Sequence, residues 1–274
     1  MAQLKPIGVF DSGYGGLTIL KEIKSLLPQY DYLYLGDNAR TPYGTRSFET
    51  VYHYTKQCVE WLFAQDCDLV ILACNTASAK ALRTIQQNDL KGDFGHKRVL
   101  GVIRPTAEII GRFSKTNHIG VLGTSGTVKS ASYPIEIEKY FPEVSIWQQS
   151  CPLWVPLVEN NEFKNEGGEY FIRMDLEKLL NQSDKIDTVL LGCTHYPLLI
   201  DTIKKYLPKG IQVISQGNIV AQSLRDYLVR HPEMENRCSK NFSLRFCTTD
   251  SVEDFNKHAL AFYGEKVEAT HVDL

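Results

Sequence analysis

No two cysteines in this chain have the C-x-x-C spacing, and their total is odd, at seven. Both facts argue against a zinc ribbon and against a secreted disulfide framework; reduced thiols in a cytosol fit better, so a cytoplasmic protein is expected. No apolar run approaches transmembrane length, and Met1-Ala2-Gln3-Leu4-Lys5-Pro6 lacks the apolar core of a signal peptide. Net charge is nearly absent: 30 Lys and Arg stand against 32 Asp and Glu, for a net of -2 and a pI near 6.4. That balance gives no electrostatic reason to expect nucleic acid or an anionic membrane as partner, and leaves a small molecule. Low-complexity segments and long linkers are also missing, so any domain boundary falls in a short connection.

What is present is the composition of an ordinary soluble globular protein, 43% hydrophobic and 23% charged. Short apolar runs alternate with helical patterns, the sequence form of a parallel α/β architecture. Strands are expected at 7–10, 32–35, 69–73, 99–102, 119–122, 144–147, 188–191 and 212–214. A helix is expected over 48–63, where Phe48, Val51, Tyr52, Cys58, Val59, Leu62 and Phe63 share one broad face, which makes Cys58 a packing residue. The chain also echoes itself. Ile7-Gly8-Val9-Phe10-Asp11-Ser12-Gly13 resembles Ile119-Gly120-Val121-Leu122-Gly123-Thr124-Ser125-Gly126, and each is followed about seventy residues later by a strand that ends in a cysteine. The expectation is two similar lobes, residues 1–100 with 214–274 and residues 101–213, with a strand and helix at 220–229 returning the chain to the first.

The two cysteine-ended strands are Val70-Ile71-Leu72-Ala73-Cys74-Asn75-Thr76 and Val189-Leu190-Leu191-Gly192-Cys193-Thr194-His195. Facing lobes place both strand ends across one cleft, where active sites of parallel sheets gather. Cys74 precedes a helical run at 77–86, whose N-terminus favours a thiolate. Cys193 has the same setting, with Pro197 suited to a first helical turn and His195 two residues away as a proton partner. Zinc at Cys193 and His195 lacks further clustered ligands, and no metal is expected.

The loop Asp11-Ser12-Gly13-Tyr14-Gly15-Gly16 opens a helical run at 17–27; its backbone N–H groups suit a carboxylate or phosphate, while Asp11 suits an ammonium group. A ligand carrying both charges, an amino acid, satisfies the whole loop. No Lys follows the last glycine, so this is not a Walker A loop. Asp37-Asn38-Ala39-Arg40-Thr41-Pro42-Tyr43-Gly44 forms a rim of the same cleft, as do Ser125-Gly126-Thr127 and Cys151-Pro152-Leu153. Glu159, by itself, reads as a solvated carboxylate. Acyl transfer through Cys193 and His195, and a silent amino-acid-binding module, are the competing readings.

Together, Phe10-Asp11-Ser12-Gly13-x-Gly15-Gly16-Leu17, Gly36-Asp37 with Pro42-Tyr43-Gly44, Ala73-Cys74-Asn75-Thr76-Ala77-Ser78, Cys151-Pro152 with Pro156-Leu157-Val158-Glu159, and Gly192-Cys193-Thr194-His195-Tyr196-Pro197-Leu198 resemble the glutamate racemases of the aspartate/glutamate racemase family. The resemblance implies two pseudosymmetric α/β lobes, each a mostly parallel sheet flanked by helices, with the active site between them. It implies a cofactor-independent enzyme that interconverts L- and D-glutamate for peptidoglycan, and a homodimer. Carried over by position, Cys74 and Cys193 are the two acid/base residues, assisted by Asp11, Glu159 and His195. Asp11, Ser12, Tyr43, Gly44, Asn75, Thr76, Thr194 and His195 are substrate contacts. The chain departs from the pattern at Arg104 and at Gln216, where many relatives have Asp.

Overall fold

The computed structural model describes residues 5–274; Met1 to Leu4, which belong to the expected first lobe, lie outside the described residues. Two parallel sheets account for every strand among these residues. The first contains β1 (Ile7–Asp11), β2 (Tyr32–Gly36), β3 (Leu69–Leu72), β4 (Arg98–Gly101), β9 (Leu244–Thr248) and β10 (Ala269–His271); the second contains β5 (His118–Gly123), β6 (Ser145–Ser150), β7 (Thr188–Gly192) and β8 (Gln212–Ile214). The helices used below are α1 (Leu17–Leu26), α2 (Phe48–Ala64), α3 (Asn75–Lys80), α4 (Trp154–Glu159), α5 (Gly217–Arg230) and α6 (Val252–Tyr263).

Sheet order carries the internal echo into three dimensions. The first sheet runs β10-β9-β2-β1-β3-β4 and the second β6-β5-β7-β8, so the four-strand unit β2-β1-β3-β4 recurs as β6-β5-β7-β8. Registers agree as well: Phe10 pairs with Leu72 across β1 and β3, and Leu122 pairs with Leu191 across β5 and β7. Of these strands, β1, β3 and β7 are buried throughout and β5 from Ile119 onward, as parallel strands covered on both faces must be. Alternate side chains serve opposite faces. Val9 and Ile71 join a core cluster with α1, α5, α6 and, from the second sheet, Leu191 and Val189; Phe10 and Leu72 pack with α2 on the other face. One apolar cluster therefore reaches from the first sheet to the second.

Several local expectations need correction. Phe48 is exposed, because it stands at the first position of α2, just past the Ser47 N-cap, while Val51, Cys58, Val59, Leu62 and Phe63 are buried as the pattern requires. The run at 77–86 is not one helix: α3 ends at Lys80, and a short helix and a π-type turn follow. Between β8 and α5 there is no strand; α5 follows directly and packs on α1, and β9 and β10, absent from the sequence reading, extend the first sheet beyond β2. Gln216 is buried and donates to Val102 O at 3.1 Å and Thr106 Oγ1 at 2.9 Å, whereas Arg104 pairs with Glu108 at the surface. Among the described residues, no helix is long and apolar enough to cross a membrane.

Candidate active site

Because all strands within a sheet run parallel, their C-terminal ends collect the loops that follow β1, β2, β3, β5, β6 and β7. These loops enclose a cavity of about 120 Å³, far below the size of a drug or nucleotide pocket and suited to one small metabolite. Its wall includes Cys74 and Cys193 together with Ser12, Tyr43, Gly44, Asn75, Thr76, Thr194 and His195. Thr124 and Val155 also line it and were not singled out from the sequence. A signal for Thr124 was available, since it occupies in the second half the place of Ser12 in the first. Ser and Thr hydroxyls and the Asn75 amide give this largely apolar wall its neutral polar groups, with no Lys or Arg among the described residues that form it.

Cys74 is the N-cap of α3, and its sulfur accepts from Ala77 N at 3.4 Å. Ser12 Oγ lies 3.5 Å from the same sulfur. Those contacts favour a thiolate, as the helix start suggested, but they are outweighed: burial and the nearby Asp11 carboxylate push the Cys74 thiol up to about 12. The expectation of a lowered Cys74 is thus reversed, and the group is a protonated thiol at neutral pH.

Asp11 does not stand in the cavity wall. It is fully buried behind it, with Oδ2 accepting from Gly13 N at 3.0 Å, so it shapes the first loop and the field at Cys74 and does not meet a ligand ammonium directly. Burial raises its carboxyl above the usual range, against the pull of His195. Glu159 is also set back from the wall, but it is not a free solvated carboxylate: its Oε1 is 2.9 Å from His195 Nε2.

The other ring nitrogen of His195, Nδ1, faces Cys193 Sγ at 3.9 Å. Burial disfavours the imidazolium, yet the partners Cys193 and Glu159 outweigh burial and push His195 up to about 10. Space for this ring exists because residue 15 is glycine; a Cβ there would fall 2.4 Å from His195 Nδ1 and 2.2 Å from Thr194 Oγ1. Sulfur on one side is therefore a thiol beside a carboxylate, and on the other it faces an imidazolium.

The remaining polar groups fix the rim. Tyr43 donates to the Asp37 carboxylate, so its ring and backbone, not its hydroxyl hydrogen, are left for a ligand. Gly44 O accepts from Gly126 N at 2.8 Å, and Thr76 Oγ1 meets Thr124 Oγ1 at 2.8 Å, which joins the two halves along the cavity. Tyr133 donates to Asn75 Oδ1 at 2.5 Å. The Asn75 Nδ2 group is buried and has no hydrogen-bond partner, an orphan donor at the cavity wall of the kind a ligand acceptor satisfies.

Comparison with known proteins agrees with this architecture. Residues 7–224 match the family described as Asp/Glu/Hydantoin racemase. The chain is 40% identical to the glutamate racemase of Aquifex aeolicus, over 96% of this chain and 95% of that protein. Among solved structures it is similar to glutamate racemase isoform RacE1 of Bacillus anthracis, with a TM-score of 0.89 at 34% identity, covering 99% of this chain and 98% of that one. It is also similar to the Francisella tularensis glutamate racemase in complex with D-glutamate, with a TM-score of 0.86 at 31% identity and the same coverage. The chain belongs to the Asp/Glu/Hydantoin racemase family, as an amino-acid racemase.

Proposed function

We propose that this enzyme interconverts L- and D-glutamate by proton transfer between two cysteines, without a cofactor, and that its D-glutamate feeds peptidoglycan synthesis in the cytoplasm. The observation that carries the reading is that Cys74 and Cys193, at matching strand ends of the two halves, line one small cavity. Residues 1–100 with 214–274 then form the Cys74 lobe and residues 101–213 the Cys193 lobe, a division supported by which strands share a sheet.

Racemisation removes the Cα proton from one face and returns a proton to the other, so one sulfur starts as thiolate and its counterpart as thiol. The asymmetry described above supports that pairing, because Cys74 stands beside a carboxylate and Cys193 beside an imidazolium. Starting from L-glutamate, the Cys193 thiolate takes the Cα proton; the C–H electron pair is delocalised into the α-carboxylate; the Cys74 thiol then gives its proton to the opposite face. Cys193 ends as thiol and Cys74 as thiolate, and the D-isomer is consumed by the same steps in reverse. His195, as imidazolium, presents an N–H to Cys193, and Glu159 holds the ring in that state. Developing charge on the carboxylate falls to neutral donors such as Asn75 Nδ2 and the Ser12, Thr76 and Thr194 groups, which act more strongly in a buried pocket than in open solvent.

The test is incubation of L-glutamate in D2O with no added cofactor, beside L-aspartate, followed by chiral chromatography and mass measurement. The expected result is D-glutamate with solvent deuterium at Cα, and loss of that product in Cys193→Ser. Full turnover by Cys193→Ser would refute the two-thiol scheme. Glutamate bound tightly without isotope exchange would instead identify a silent binding module.

A further inference from the structure

The segment that follows the family-matched residues 7–224 reaches back to the site. On α6, His258 and Phe262 stand one helical turn apart, a spacing that puts both on one face. His258 Nε2 lies 3.1 Å from the backbone oxygen of Glu159, and Nδ1 lies 2.8 Å from Asp254 O in the preceding turn. The ring is stacked on Tyr14 of the first loop, centroids 4.5 Å apart and planes 17° apart. Phe262 meets the His195 ring edge-on, 5.1 Å between centroids and 79° between planes.

The chemistry of the contact explains its value. Glu159 is the last residue of α4, and carbonyls of a final helical turn have no partner within the helix. A histidine side chain donating to such a carbonyl is a recognised way to satisfy it. Here the donor comes from a helix packed on the first sheet and the carbonyl from a helix that follows β6 of the second. The same Glu159 carries the carboxylate that holds His195, so α6 meets the buried relay at two points, the Glu159 backbone through His258 and the His195 ring through Phe262.

We propose that His258 and Phe262 are positioning residues for the Glu159–His195–Cys193 relay, and that the C-terminal helix thereby completes the Cys193 side of the active site. The inference rests on the racemase reading above. Neither residue touches the cavity, so each acts through Glu159 or His195.

The test is the pH profile of glutamate racemisation, as kcat/KM across roughly pH 6 to 11, for the full chain and for His258→Ala, His258→Gln and Phe262→Leu. The alkaline limb follows loss of the His195 proton. In His258→Ala it should move down by about one pH unit, and neutral-pH kcat/KM should fall about three- to tenfold, the effect of one lost hydrogen bond. His258→Gln, whose amide can donate to the same carbonyl, should recover most of the loss, and Phe262→Leu should move the limb in the same direction. A purely structural role would lower the melting temperature and leave the limb in place; an unmoved limb in folded His258→Ala overturns the proposal. Should His258→Ala not fold, an unmoved limb in Phe262→Leu overturns it instead. NMR titration of the His195 ring needs no turnover and reads the same downward shift. A wild-type chain that does not racemise glutamate would therefore sink the racemase reading alone, and an unshifted His195 titration in the variants would sink this one alone.

Discussion

Glu159 holds the Nε2 side of His195 at 2.9 Å while the Nδ1 side of the same ring faces the Cys193 sulfur. A carboxylate, an imidazole and a sulfur thus lie in line, all contributed by the second half of the chain. The first half has no equivalent: Thr76 stands where the second has His195, and Asp11 stands where the second has Gly123. Two halves with one topology have opposite charge around their sulfurs, which is what a reaction needing one thiol and one thiolate requires.

Glu159→Gln removes the anion from this line and keeps its shape. His195 should then lose its imidazolium well below the present value of about 10, and the alkaline limb of kcat/KM should move to lower pH. A charge-assisted hydrogen bond of this kind corresponds to about a ten- to hundredfold loss in kcat/KM. Stability follows with a fixed sign. The folded His195 binds its proton more tightly than an unfolded histidine near 6.5, so its contribution is complete below about 6.5 and is lost as pH rises through about 10. Urea midpoints of wild type and Glu159→Gln should converge at the alkaline end of that window. Parallel curves through it would show that the pair is not what holds the proton.

Asp11→Asn tests the other side. The carboxylate is one of the groups that hold Cys74 up at about 12, so its removal should bring the thiol down. Alkylation rate follows the thiolate fraction, so each unit of descent gives about a tenfold faster modification at a fixed pH. Iodoacetamide labelling of Cys74, read by peptide mass spectrometry near neutral pH, should be slow in the wild type and faster in Asp11→Asn. Equal rates would remove Asp11 from the electrostatics of the site.

Most of the first sheet's interior and all of the second were legible, because buried parallel strands are short apolar runs with little else to be. Cys74 and Cys193 are matched by their settings in the sequence itself, each just past a buried apolar strand. What stayed hidden is physical in origin. β10 is Ala-Thr-His at a sheet edge, too short and too polar to leave a hydrophobic signature, and β9 carries Arg245 in a five-residue strand. The direction of the Cys74 shift was missed because a helix start is visible in sequence whereas burial and a neighbouring carboxylate are properties of the packed fold. Glu159 looked solvated for the same reason: its partner is 36 residues away. His258 and Phe262 gave no signal at all, since their role depends on where a distant helix comes to rest.

Tyr133→Phe tests whether Asn75 is a substrate donor. The Tyr133 hydroxyl occupies Asn75 Oδ1 at 2.5 Å and so orients the amide with Nδ2 as the free donor. Without it the amide can rotate, and KM for glutamate should rise about three- to tenfold, with kcat affected less. Asn75→Ala should raise KM at least as much. An unchanged KM in both variants would place the substrate elsewhere in the cavity.

Gly15→Ala separates space from charge. The obstacle is not backbone conformation, because Gly15 is not among the residues with positive φ; it is that the new methyl group would sit 2.2 Å from Thr194 Oγ1 and 2.4 Å from His195 Nδ1. Real Cβ contacts are never so short, so the β7 loop must withdraw, at an overpacking cost of about 1–3 kcal/mol. Withdrawal of His195 breaks its approach to Cys193 while Cys74, Ser12 and Asp11 keep their places. The expected result is a folded protein with a modestly lower melting temperature, a loss of racemisation of at least about a hundredfold, and Cys74 alkylation unchanged from the wild type. Cys74 labelling that changed together with activity would show that the first loop had moved as a whole, and that His195 was not the element displaced.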